Sequence, residues 1–265
     1  MAIYTCFDMI ADCRANKREG WVYFVTHYLP LCGTLIEHYY PDRSADAELL
    51  GRVLRALRDP KSSLFGTPES EREFCSRLRQ FVLAAVEDDK ASTAPEISLD
   101  FETLTEALAP LTAMERQAVW LEAMGYHPEH AGSLLNMDAA TAGGIREKAA
   151  DLLRGKMDQW NINVMQQNGF LLRQAVKGLE TEQCFPSRTF LDLLDGRMTW
   201  ADRQDVDRHM VGCWYCVDHL CRMREIDAIL RDSRPLRAGE AEPYLKLLGL
   251  PAGKVPFWKR LFAGA

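Results

Sequence analysis

Four residues of metal-ligand type stand at metal-ligand spacing in the last third of the chain: Cys184, His209, Cys213 and Cys216. The Cys213-x2-Cys216 pair brings two thiolates within reach of one ion. On a helix, His209 and Cys213 lie one turn apart on the same face. Three corners of a tetrahedron are then covered, and Cys184 is the candidate for the fourth. His219 and Cys221, three and five residues past Cys216, compete with it. Three Cys and one His would close a structural Zn2+ site with no position left for a substrate. Thiolates also select other metals. The plainer alternative is a set of small buried thiols on amphipathic helices.

The elements around these residues carry a resemblance. Leu194-Asp195-Gly196 ends an apolar stretch, Thr199-Trp200-Ala201-Asp202-Arg203 opens an acidic helix, and His209, Cys213 and Cys216 follow in order. The segment from Cys184 to about Arg224 resembles the zinc-containing anti-sigma domain of bacteria. That resemblance implies a small helical module that wraps a sigma factor. In some members of the family, oxidation of the thiols releases zinc and the sigma factor.

Composition sets the frame. At 265 residues the chain has room for two or three small domains. Hydrophobic residues make up 47%, as in ordinary folded proteins. No apolar run reaches bilayer-spanning length. The start, from Met1 to Asp8, lacks a basic region followed by an apolar core, so a cytoplasmic protein is expected. Eight cysteines in that setting point to metal or redox chemistry rather than a disulfide frame. Cys6, Cys13, Cys32 and Cys75 are scattered and are expected to be buried apolar residues. The net charge of −6 argues against a dedicated, high-affinity nucleic-acid binder.

Residues 21–58 read as helices. Leu49, Leu50, Val53, Leu54 and Leu57 form the buried stripe of one that begins near Asp46-Ala47-Glu48. A further helix is expected from about Glu69 to Glu87, with Phe74, Leu78, Phe81, Val82, Ala85 and Val86 inward. This layout resembles the polymerase-binding region of an extracytoplasmic-function (ECF) sigma factor. The resemblance implies contact with the RNA polymerase core through Asp46, Glu48 and Arg52. Leu49 departs from the family's second acid. Glu87-Asp88-Asp89 stands where the family has basic or amide residues.

Residues 101–154 read as a helix-turn-helix unit. Thr112 with Glu115 fits a capping box. Gly125-Tyr126-His127-Pro128 makes a turn, Glu129 to Leu135 a short helix, Asn136-Met137-Asp138 a tight turn, and Ala139 to Arg154 a longer helix. Leu108-Ala109-Pro110-Leu111 with Glu115-Arg116, Leu134-Leu135-Asn136-Met137 and Leu152-Leu153-Arg154 resemble the promoter-reading region of the same sigma family. The resemblance implies promoter DNA as a partner, met by Thr141, Arg146 and Lys148. Ala142-Gly143-Gly144-Ile145 departs from the family, which carries bases there. The unit holds eight acids against four bases (Arg116, Arg146, Lys148 and Arg154), a balance that repels phosphate.

His127 and His130 are expected at the surface or at a cap. No nucleophile, base and orienter converge by spacing, so no enzyme and no small-molecule substrate are expected. After Cys221 a helix continues to a stop at Arg231-Asp232-Ser233-Arg234-Pro235. The basic-aromatic tail from 236 is expected to pack on its own domain, with a membrane surface or a partner groove as the alternatives.

The expected protein is all-α. It has a sigma-like helical domain (1–90), a linker (91–100), a sigma-like helix-turn-helix domain (101–157), an anti-sigma-like zinc domain with a connecting helix (158–235) and a tail (236–265). Its expected function is transcription regulation of ECF sigma type, held in cis by an intramolecular sigma-like/anti-sigma-like contact. The alternatives are a degenerate sigma-like scaffold that works through protein contacts and a zinc/thiol redox sensor.

Overall fold

Helix punctuation recurs along this chain, and it sets the architecture. The computed structural model describes residues 4–39, 47–59, 63–87, 100–154 and 169–250. Among them every regular element is helical and no strand occurs. Two compact units divide the chain: residues 1–92 with 229–265, and residues 93–228.

The first unit contains α1 (Cys6–Arg14), α2 (Arg18–His27), α3 (Leu29–Tyr39), α4 (Ala47–Leu57) and α5 (Glu71–Glu87). A reciprocal cap between Thr5 and Asp8 starts α1, an element not anticipated from the sequence although Cys6, Met9, Ile10 and Cys13 recur at helical spacing. Pro30 stands in the first turn of α3, where a missing N–H costs nothing. Helix α5 begins two residues later than expected: the Glu73 N–H donates to the Ser70 hydroxyl at 3.1 Å, so Ser70 caps it. Phe74, Leu78, Val82 and Val86 are buried as expected. Phe81 is only half-buried, and Leu83 is buried in addition. Leu49, Val53, Leu54 and Leu57 face inward on α4.

Aromatic rings fill the core of this unit. Trp21 and Phe65 meet edge-on at 5.5 Å between centroids, and Tyr28 meets Phe74 at 5.2 Å. The Tyr28 hydroxyl donates to Glu71 at 2.6 Å. Each fully buried side chain of this size contributes about 1.5–3 kcal/mol. Cys6, Cys13, Cys32 and Cys75 are buried, as their scatter suggests. Helix α14 (Ala238–Leu247) returns to this unit and packs on α2, with Leu236 N–H donating to Thr26 O at 2.8 Å. The start of the tail therefore packs on a helix from the N-terminal part of the chain, while residues 251–265 lie outside the described residues.

The second unit contains α6 (Phe101–Ala107), α7 (Ala113–Ala123), α8 (Pro128–Leu135), α9 (Ala139–Leu153), α10 (Gly169–Lys177), α11 (Ser187–Leu194), α12 (Trp200–Met210) and most of α13 (Trp214–Asp232). Thr112 and Glu115 form the expected capping box of α7. Asn136 adopts the left-handed conformation after α8, and the Asp138 carboxylate accepts from the Thr141 N–H at 2.7 Å to cap α9. Gly132 makes this turn possible. A Cβ there would meet Met137 O at 2.8 Å, and Met137 N–H donates to Gly132 O at 2.9 Å.

One face of α13 lies on α6 and α7. Trp214, Asp218, Cys221 and Glu225 recur at helical spacing along it. Trp214 packs on Trp120 at 5.6 Å between rings and donates to Thr105 Oγ1 at 2.9 Å. Trp120 Nε1 donates to Asp218 Oδ1 at 3.0 Å, and Arg224 Nε donates to Gln117 Oε1 at 3.1 Å. The Tyr126 hydroxyl donates to Glu225. Arg116 is buried beneath this contact. It donates to the carbonyls of Thr105 and Leu108 at 3.1 and 2.9 Å, and its guanidinium lies 5.3 Å from the Trp214 ring.

Candidate metal centre

The three segments that meet at the metal centre are each set by local chemistry. Thr199 caps α12 through Asp202, which fixes where the helix runs and places His209 in its last turn. Gly212 N–H donates to His209 O at 3.0 Å and turns the chain. Cys213 then stands at the cap of α13, where Val217 N–H donates to its carbonyl at 3.1 Å, and Cys216 falls in the first turn. Cys184 comes from the turn before α11, closed by Cys184 N–H donating to Thr181 O at 3.0 Å.

The ligand atoms of Cys184, His209, Cys213 and Cys216 all lie within 4.8 Å of one another. Cys184 Sγ is 3.7 Å from Cys213 Sγ, and His209 Nε2 is 3.2 Å from Cys216 Sγ. Zn–S bonds of about 2.3 Å at tetrahedral angles put two sulfurs about 3.8 Å apart. The Cys184–Cys213 separation fits that edge. It is far longer than the roughly 2 Å of a disulfide. The other competitors lie elsewhere. His219 Nε2 pairs with Ser187 Oγ at 3.2 Å, and Cys221 Sγ points to Gln117 O at 3.8 Å.

Each thiol meets a backbone N–H. Thr181 N–H donates to Cys184 Sγ at 3.3 Å, and the Thr181 hydroxyl lies 3.6 Å from the same sulfur. The backbone amide of Cys216 faces Cys213 Sγ, and that of Phe185 faces Cys216 Sγ. These donors stabilise thiolate over thiol. The Phe185 ring meets His209 edge-on at 5.1 Å, and Cys216 is fully buried.

Hydrogen bonding from Cys216 holds the Cys213 thiol down at about 5, and its place at the start of a long helix also favours the anion. The same pairing pushes Cys216 far up, since a second thiolate beside the first is repelled. A cation reverses that penalty by deprotonating its thiol ligands. The donor set therefore fits a metal ion, held by three sulfurs and His209 Nε2. The metal would supply cross-linking of α12, α13 and the Cys184 turn. A groove of about 540 Å3 beside it is lined by His209, Cys213 and Trp214 together with Glu102 and Glu106 of α6.

The structure places the other candidate residues as follows. Thr141 is exposed in the first turn of α9. Arg146 Nε faces Glu122 Oε2 at 3.6 Å, and Lys148 Nζ meets Glu115 Oε1 at 2.7 Å. Both bases of α9 thus point at acids of α7. Glu48 is exposed and Arg52 half-buried on α4, while Asp46 lies outside the described residues. His127 and His130 are exposed. Thr181, Phe185 and Glu122 are residues that spacing did not single out, and Glu115 was marked only as the capping partner of Thr112. No helix among the described residues is long and apolar enough to cross a membrane.

Compared with family models, curated proteins and solved structures, the chain matches none.

Proposed function

We propose that this protein is a bacterial transcription regulator resembling an ECF sigma factor, controlled in cis by a zinc-containing anti-sigma-like module. The observation that carries the reading is the placement of the metal centre at the start of α13. That helix spends one face, from Trp214 to Glu225, on α6 and α7 of the helix-turn-helix unit. Zn2+ held by Cys184, His209, Cys213 and Cys216 would anchor the end from which this contact runs. Joining module and target in one chain gives the contact a high effective concentration. In this reading the surface around Asp46, Glu48 and Arg52 meets the RNA polymerase core, and α9 faces promoter DNA from Thr141 to Lys148. The setting is cytoplasmic, where thiols stay reduced.

The test is binding to core polymerase and promoter-specific initiation by the full chain, zinc-loaded and after chelation. Binding in either state, changed by zinc removal, supports the reading. Failure of both states to bind polymerase or initiate contradicts it.

A second reading is favoured by the ion pairs of α9. With Arg146 and Lys148 held by α7, the helix-turn-helix supports a degenerate scaffold that works through protein contacts. Titration with duplex DNA at low salt separates the two. Salt-sensitive binding supports the first, and no binding supports the second.

A further inference from the structure

The helix-turn-helix unit has four bases, and each ends on a protein group. Arg116 is buried on carbonyls of the α6 end. Arg154 pairs with Asp151 at 2.9 Å, but both are well exposed and the pair is weakly held. Arg146 and Lys148 differ, because their partners are fixed. Glu115 is pinned by its cap: Oε2 accepts from Thr112 N–H at 2.7 Å while Oε1 takes Lys148 at 2.7 Å. Glu122 is 1% exposed, and neither of its oxygens accepts a hydrogen bond from the described residues. Once ionised, a buried carboxylate so placed attracts a nearby cation through less solvent screening than an exposed one does. Arg146 reaches it from α9 while remaining 37% exposed itself.

We infer that α9 carries a latent polyanion-binding face, and that Glu115 and Glu122 of α7 withhold its two cations, Lys148 and Arg146, from nucleic-acid phosphate. The face remains accessible: Thr141, Gly144, Glu147 and Lys148 are exposed along it. A rearrangement that draws α9 slightly from α7, or a change that removes the α7 charges, takes these two carboxylates away from both cations at once. This inference rests on the reading of α9 as the helix that faces DNA.

The test uses the full chain as Glu115→Gln, Glu122→Gln and the double variant. Glutamine at 115 keeps the capping box, and glutamine at 122 removes a buried charge without changing shape. The probes are a random-sequence duplex of about 20 base pairs and a heparin column, both at low salt and at about pH 8, above the titration of the Glu122 carboxyl. The double variant should bind the duplex about tenfold more tightly, with a salt slope steeper by about 2, as two recovered phosphate contacts require. It should also elute later from heparin. Adding Arg146→Ala and Lys148→Ala should abolish the gain. Glu102→Gln with Glu106→Gln, which removes the same charge from exposed positions on α6, should give much less.

Later heparin elution without tighter duplex binding would support the withholding and count against α9 as a DNA-facing helix. No gain on either probe, with helicity unchanged, would overturn the inference. So would an equal gain from the α6 control or a gain that survives loss of the two bases.

Discussion

The sulfurs of Cys184 and Cys213 lie 3.7 Å apart although the residues are 29 positions apart in the chain. The turn closed by Thr181 carries Cys184, and the cap of α13 carries Cys213. Both sulfurs then point at one spot shared with His209 and Cys216. A cation at that spot would relieve the repulsion between neighbouring thiolates and so couple metal binding to local folding.

Thr181 supplies both a backbone N–H and a hydroxyl near the Cys184 sulfur. Thr181→Val keeps the first and removes the second. Metal affinity, measured by competition with a chromophoric chelator, should fall by about tenfold, in the range usual for groups that orient metal ligands. Thr181→Ser should restore it. Unchanged affinity in Thr181→Val would show that the hydroxyl does not act on the sulfur.

Two glycines of the helix-turn-helix should respond in opposite directions. At Gly132 an added Cβ meets Met137 O at 2.8 Å, so Gly132→Ala should destabilise the chain by about 1–3 kcal/mol. At Gly144 nothing lies within 4 Å of the added Cβ, so Gly144→Ala should stabilise α9 by about 0.5–1 kcal/mol. Urea denaturation followed by circular dichroism measures both. Equal effects would contradict the turn geometry.

Burial pushes the Glu122 carboxyl up to about 7, against the opposing pull of Arg146. The sign follows from linkage. The folded state holds this proton more tightly than the unfolded state, so the contribution is complete below about pH 4.5 and is lost as pH rises through 7. Glu122→Gln should remove that slope and leave the variant about 1–3 kcal/mol more stable than the parent at pH 8. Denaturation midpoints measured from pH 5 to pH 8 check it. Parallel profiles for parent and variant would show that Glu122 is ionised throughout.

How much of this could be read from sequence varied with the range of the signal. The α8–turn–α9 segment was legible because its punctuation is local: the turn from Gly125 precedes α8, which starts one residue earlier than expected at Pro128, Asn136 takes the left-handed turn and Asp138 caps α9. The candidate metal cluster was legible because His-x3-Cys-x2-Cys keeps three ligand types close in the chain, although a turn at Gly212 separates His209, at the end of α12, from Cys213 and Cys216 at the start of α13, in place of the single helix face expected. Cys184 needed the structure to prevail over His219 and Cys221. The polar face of α13 was not legible. Asp218 and Glu225 look like surface acids, yet both are buried, where Trp120 and Tyr126, 98 and 99 residues away, donate to them and Arg222 pairs with Asp218 at 2.8 Å. The ion pairs of α9 were hidden for the same reason, since Glu115 and Lys148 are 33 residues apart. Helix α1 is marked locally too, by Cys6, Met9, Ile10 and Cys13 at helical spacing behind the Thr5–Asp8 cap, although two of those four positions are cysteines, which carry little helix propensity.

The most direct measurement is the metal content of the native protein beside Cys184→Ala, His209→Ala and Cys216→Ala. The account predicts one zinc per chain, lost or much weakened in all three variants. No metal in the parent, or a site untouched by Cys184→Ala, would contradict it and leave Cys213 and Cys216 as packing thiols.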